Sequence, residues 1–270
     1  MDAINEILKK FNIEDMSQDD LRKTLDELEI ETYNNSVGDL NEKDGLNCEL
    51  CKNKGWVQGL KDGRLTMFQC KCSNRRALIN KAKNSGLGEY LNKKIEDYKV
   101  FEQWQLDNAN KMTAFIENHS TDNTWFVALG TSGCGKTLMC SIIANHLLYE
   151  SNRDVIYVTW TDFISKLKRD IMGDQTNAVS AYLEEIKNID VLFLDELIKK
   201  YTEADLRYLI EIINYRYTNN LKTIITSERV IDELLDIDEA TFSRAVSKCE
   251  GYLINVLKDR RKNYRLKEIL

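Results

Sequence analysis

The chain contains no proline, and it contains no apolar run approaching the roughly 18 residues that a membrane-crossing helix requires. The second absence excludes a helical transmembrane protein; the first excludes nothing about fold class. The opening MDAINEILKK mixes charges into a helical pattern and lacks an apolar stretch with a small-residue cleavage site, so no secretory signal is expected. The expected location is therefore the cytoplasm, with no membrane partner. In that reducing compartment, cysteine pairs more often mean metal than disulfide. An excess of positive charge is missing too. The formal net charge is −6, which by itself weighs against a nucleic-acid partner. Its distribution is uneven, however: residues 1–50 carry five basic and fourteen acidic side chains, and residues 51–99 carry twelve basic and four acidic. The positive stretch reads either as a solvated lysine surface or as a phosphate-contacting patch.

With 270 residues and 43% hydrophobic content there is enough chain for one large core or two modest ones. Three segments can be told apart. Residues 1–44 read as two amphipathic helices: Ile4, Ile7, Leu8 and Phe11 share one face, and Leu21, Leu25 and Leu28 line another behind a capping box of Ser17 and Asp20. This segment either packs on the rest of the chain or docks a partner. Residues 45–88 contain Cys48, Cys51, Cys70 and Cys72, two close pairs flanking GWVQG and GRLTMFQC, which read as a hairpin. Four thiolates in two tight turns suit tetrahedral Zn²⁺, with all positions filled by sulfur and none left for catalysis. So small a unit needs such a staple.

Residues 95–270 alternate apolar strands with helical stretches, the pattern of an α/β fold with helices on both faces of a sheet. Five strands are predicted, at Trp125–Leu129, Val155–Thr159, Val191–Leu194, Thr223–Thr226 and Tyr252–Val256. After the first comes Gly130, Thr131, Ser132, Gly133, Cys134, Gly135, Lys136 and Thr137, which matches G-x-x-x-x-G-K-[ST] and runs straight into a helical pattern. Its glycines let successive N–H groups face phosphates at a helix N-terminus. Lys136 would reach the β- and γ-phosphates of ATP, and Thr137 would ligate Mg²⁺. The third strand ends in Asp195 and Glu196, where the first carboxylate would hold Mg²⁺ and the second would activate water. The fourth ends in Thr226, Ser227 and Glu228, polar groups within reach of a γ-phosphate, and Arg244 further on offers a guanidinium to phosphate.

Beyond these motifs, the segments Ile212–Tyr217, Thr223–Ser227, Asp232–Leu234, Phe242–Arg244 and Asn263–Leu266, with the cysteine pairs in front, make the chain resemble bacterial helicase loaders of the DnaC and DnaI type within the AAA+ ATPases, including those of phages and mobile elements. The resemblance implies an AAA+ P-loop ATPase domain with a five-stranded parallel sheet, preceded by a small helical and zinc-binding region. It implies Mg-dependent ATP hydrolysis, with Ser227 or Glu228 as first sensor, Arg244 as arginine finger and Arg265 as second sensor. It further implies docking of the replicative hexameric helicase on the N-terminal region, self-association through ATP sites, and passage of single-stranded DNA over the ATPase domain. The residues to which DNA contact is assigned are around Trp160 and Lys166, since bases stack on aromatics and phosphates meet lysines, although the commoner role of a single aromatic is core packing. Many relatives have asparagine where this chain has Glu228, an acid that would repel a γ-phosphate and slow turnover unless assembly or DNA stimulates it. Two alternatives stay open: a transposition helper ATPase that coats duplex DNA, and a non-hydrolysing ATP-binding adaptor.

Overall fold

Asp62 and Gly63 take φ values of 52° and 71°, the two left-handed conformations that a two-residue hairpin turn needs for its twist to match the strands. They join β1 (Trp56–Lys61) to β2 (Arg64–Gln69), antiparallel partners from Trp56 opposite Gln69 to Lys61 opposite Arg64. The computed structural model describes residues 17–266, so the expected helix through Ile4, Ile7, Leu8 and Phe11 lies outside the described residues. Two compact units divide after Ala77.

In the first unit, α1 (Gln18–Asn35) starts where the capping box places it, with Ser17 Oγ accepting from the Asp20 N–H. No residue of α1 is fully buried: Leu21 and Leu28 are half-buried and Leu25 is 55% exposed. At its last turn Asn34 stands in for a strand neighbour: its side-chain amide donates to Gln58 O and accepts from Gln58 N, both at 2.9 Å. A short α2 (Leu40–Asp44) leads into the first cysteine pair, and α3 (Cys72–Asn84) follows the second.

In the second unit, α4 (Gln103–His119) precedes β3 (Phe126–Gly130), α5 (Lys136–Tyr149), β4 (Val155–Thr159), α6 (Trp160–Met172) and α7 (Thr176–Asn188). Then come β5 (Val191–Asp195), α8 (Glu203–Thr218), β6 (Lys222–Ser227), α9 (Ile231–Leu235), α10 (Glu239–Ser247) and β7 (Leu253–Val256). The five predicted strands all form, within one residue at each end. They build one parallel sheet in the order β4-β5-β6-β3-β7. Trp125 falls just outside β3 because its backbone N–H bonds Lys248 O and its indole bonds Leu221 O at 2.8 Å, a tether rather than a ladder position.

Strands β3, β5 and β6 are buried along their whole length, which is why they read as continuous apolar runs instead of alternating. Against one face pack Trp160, Phe163, Ile186, Ile212 and Phe242. Arg216, from one of the segments that carry the family resemblance, is fully buried in this layer. It donates to the carbonyls of Lys187 and Ile189 at 2.9 and 2.8 Å and to Thr223 Oγ1 at 2.9 Å, stopping the C-terminal end of α7 with a cation. Its role is architectural. Because all five strands run the same way, the loops leaving β3, β5 and β6 open on one edge, and the sheet order reverses around β3. In open parallel sheets that edge is where ligands sit.

Candidate functional site

The loop between β3 and α5 is shaped by glycines that nothing else can replace. Gly130, Gly133 and Gly135 have φ of 117°, 72° and 90°. A Cβ on Gly130 would stand 1.8 Å from Val256 O, and one on Gly133 would stand 1.9 Å from Asn263 Oδ1. The loop is thus pressed between β7 and the 3₁₀ turn at Tyr264–Leu266, where Tyr264 N also donates to Gly133 O at 3.0 Å. Lys136, the first residue of α5, is buried and turns its ammonium back on its own loop, to Gly130 O at 2.9 Å and Thr131 O at 2.8 Å. It thereby borrows the acceptors that a phosphate would replace. Cys134 is buried beside it, and burial pushes its thiol pKa up. Thr131 and Ser132 form the outer lip.

Across the gap, Asp195 ends β5 almost fully buried. Its Oδ1 accepts from Thr137 Oγ1 at 3.0 Å and from Thr226 Oγ1, and its Oδ2 accepts from the Tyr157 hydroxyl at 2.8 Å. Of these partners, Tyr157 was not singled out in the sequence. Burial, followed by the Asp195 charge, raises the Tyr157 pKa, so the phenol stays a donor. Glu196 follows in a left-handed conformation, φ 53°, anchored by its N–H to Thr226 Oγ1 at 3.0 Å; its carboxylate meets Lys199 Nζ at 3.1 Å. Ser227 is fully buried, its hydroxyl donating to Leu197 O at 2.7 Å and accepting from Arg229 N, whereas Glu228 is half-buried at the rim.

Lys136, Thr137, Glu196, Thr226, Ser227 and Glu228 line a cavity of about 650 Å³ that also takes in Tyr90, Tyr98, Phe101, Tyr264 and Arg265. Three of its aromatics, Tyr90, Tyr98 and Phe101, come from residues ahead of α4, where Asn145 of α5 donates its amide to Tyr90 O and Lys93 O. Sequence reading missed these aromatics. Gly86, φ 113°, lies against the Tyr157 ring, where a Cβ would come within 3.1 Å. Arg244 sits on α10 outside this cavity and donates to Asn214 Oδ1 at 3.0 Å. Of the two residues named for DNA contact, Trp160 has the core-packing role: its ring is fully buried, 5.7 Å from Phe163, and cannot stack on a nucleotide, while Lys166 lies over the Tyr182 ring.

In the first unit, the Sγ atoms of Cys48, Cys51, Cys70 and Cys72 all lie within 4.8 Å of one another, the one such metal-competent group among the described residues. Two of the separations, Cys48–Cys70 at 3.7 Å and Cys51–Cys72 at 3.6 Å, approach the edge of about 3.8 Å that a tetrahedron with Zn–S bonds of about 2.3 Å has. Lys52 and Asn53 take positive φ so that the first pair can turn inward. Burial raises the Cys51 pKa, but the Gly55 N–H at 3.3 Å from its sulfur and the neighbouring thiols outweigh it and bring the value down to about 7. Beneath the cluster, buried Arg76 holds both oxygens of buried Asp44, at 2.6 and 2.5 Å, and Leu46 O at 2.9 Å. Asn53 Oδ1 accepts from the Cys48 N–H at 2.8 Å, completing an outer layer that fixes the ligand turns.

A parallel sheet with a phosphate loop after β3, an acidic pair after β5 and a polar strand end at β6 between them defines a P-loop ATPase of the AAA+ type. A family model of the bacterial DnaA ATPase domain matches residues 100–248, more than half of the chain, and the chain belongs to that family. Among individual relatives, it is 26% identical over 226 residues to the uncharacterized protein YqaM of Bacillus subtilis, covering 73% of this chain and 66% of that one. It is 24% identical over 164 residues to the replicative helicase loader DnaC of Buchnera aphidicola, covering 56% of this chain and again 66% of the relative. The chain thus spans just under two thirds of the length of both. The solved structure of DnaI superposes with a TM-score of 0.50 at 21% identity, over 63% of this chain and 92% of that one, a likeness of fold. The resemblance to the loader group read from the motifs agrees with these matches.

Proposed function

We propose that the protein is an ATP-dependent loader of a replicative DNA helicase. The observation that carries the reading is the convergence of Lys136, Thr137 and Glu196 on one cavity, with Asp195 hydrogen-bonded to Thr137 behind it, in a chain of the DnaA ATPase-domain family. The 3.0 Å between Thr137 Oγ1 and Asp195 Oδ1 fits two hard oxygen ligands on one octahedral Mg²⁺, whose bonds of about 2.0–2.1 Å put adjacent ligands about 2.9 Å apart. The metal would supply charge neutralisation at the β- and γ-phosphates. Lys136 exchanges its loop carbonyls for phosphate oxygens, the loop N–H groups bind the rest of the chain of phosphates, and Glu196 takes the proton of the attacking water. Arg244, which lies outside its own cavity, would act on a neighbouring subunit's ATP, and Arg265 and Glu228, which line the cavity, would meet the chain's own nucleotide.

Zinc is held by Cys48, Cys51, Cys70 and Cys72 and supplies a structural staple, since four sulfurs leave no open position. Leu25 of α1, the exposed member of the leucine stripe, lies in the same region and suits an apolar groove on the helicase. Single-stranded DNA and a second copy of the chain are the remaining partners, and the setting is the bacterial cytoplasm. Passing the purified chain, with ATP and Mg²⁺, over an immobilised replicative helicase from a low-GC bacterium tests the partner. Retention that is lost in Leu25→Asp supports the reading. ATP turnover without retention by any such helicase, accompanied by coating of duplex DNA, would replace it with the transposition helper.

A further inference from the structure

The loop after β5 brings an unexpected cation into the phosphate end of the cavity. Lys199 Nζ lies 3.1 Å from Glu196 Oε1 and 3.8 Å from Glu228 Oε1, so one ammonium bridges the acid that would activate water and the acid that would repel a γ-phosphate. The loop is bent to allow this, with Glu196 and Ile198 both at positive φ, 53° and 56°. Lys199 also lines both the cavity that holds Lys136 and Thr137 and the adjoining one that holds Thr131, Ser132, Arg229 and Arg260. It therefore stands where the two open on the lip of the phosphate loop. The hydroxyl in the neighbouring strand-end position cannot serve instead, because Ser227 Oγ is committed to Leu197 O and Arg229 N.

We propose that Lys199 is the group by which this site distinguishes a nucleoside triphosphate from a diphosphate. Without a γ-phosphate it neutralises Glu228 and ties down Glu196; with one, it becomes a cation partner of that phosphate and releases Glu196 toward the water. The exchange is cheap in physical terms. All three side chains are between 35% and 43% exposed, so the carboxylate pairs are screened and weakly held, while a terminal phosphate offers more charge and more acceptor oxygens on a flexible lysine's arc. Glu228 then does not block ATP binding, because the Lys199 ammonium, 3.8 Å from its carboxylate, stays between it and the terminal phosphate. The inference rests on the ATPase reading above and adds the residue that reads the nucleotide state.

The test is the affinity of the full chain, with Mg²⁺, for ADP and for a β,γ-methylene analogue of ATP, in wild type, Lys199→Ala, Glu228→Gln and the double variant. Lys199→Ala is expected to weaken the triphosphate roughly tenfold or more, as loss of one charged contact does, and to leave ADP within about twofold. The retained ADP affinity doubles as the check on folding. Adding Glu228→Gln should restore most of the lost triphosphate affinity, and Lys199→Arg should keep it. Equal losses for both nucleotides, or no loss for either, would overturn the assignment of Lys199 while leaving the ATPase reading intact. Failure of the wild-type chain to bind either nucleotide would overturn the ATPase reading itself.

Discussion

The Tyr157 hydroxyl donates to Asp195 Oδ2 across 2.8 Å, so the carboxylate at the end of β5 is fixed from the neighbouring strand β4 as well as from the phosphate loop. A buried carboxylate that loses one such donor keeps its desolvation cost. Tyr157→Phe should lower stability by about 1.5–3 kcal/mol in urea unfolding. It should also lower kcat for ATP by about tenfold with little change in nucleotide affinity, because Asp195 would lose its orientation and not its charge.

Glu196→Gln keeps the side chain's size and its N–H anchor to Thr226 but removes the proton acceptor. ATP binding should survive, and turnover should fall by roughly a hundredfold or more. A single-turnover assay with bound nucleotide quantified separately checks both halves; turnover near the wild-type rate would show that another group activates the water.

For the cysteine cluster, Cys70→Ser should lose stoichiometric zinc by elemental analysis and unfold the first unit, because metal binding to four thiolates contributes about 10–16 kcal/mol to such small folds. Nucleotide affinity of the second unit, which has its own core, should be retained. Chelator treatment of the wild-type chain should give the same pattern.

Lys222, fully buried at the start of β6, donates to His119 O and Thr124 O, each at 2.8 Å. Burial brings its pKa from 10.5 down to about 8, against the pull of Asp122. Between those two values the unfolded chain binds a proton that the folded chain does not, so stability should rise with pH across the window, by at most about 3 kcal/mol. Lys222→Met should lose that rise, which urea unfolding at pH 8 and pH 10 would detect as a difference in slope between the two proteins.

The strands and the phosphate loop were legible because both are local. A strand buried on two faces must be a short apolar run, and G-x-x-x-x-G-K-T is one continuous backbone device. Cys48, Cys51, Cys70 and Cys72 were legible for the same reason, as two close pairs around a hairpin whose Asp62-Gly63 turn is itself a local signal. What could not be read is what the topology assembles. Tyr157 reaches Asp195 only because β4 lies beside β5, and Tyr90 is tied to the site by Asn145 reaching back from α5. Trp160 could not be decided from sequence, because an aromatic near lysines looks the same whether it faces solvent or, as here, the core. Lys199 was unremarkable in a lysine-rich chain until the bend at Glu196 and Ile198 set it between two carboxylates.

The central claim is that ATP and this chain together place a ring-shaped helicase on DNA. A closed ring cannot thread a closed circle, so the direct measurement is the amount of replicative helicase retained on circular single-stranded DNA after the helicase is mixed with the chain and ATP. The account expects retention to rise several-fold over helicase alone and to require ATP, with Lys136→Ala abolishing the gain. Helicase retention no higher than without the chain, under conditions where the chain hydrolyses ATP, would contradict it.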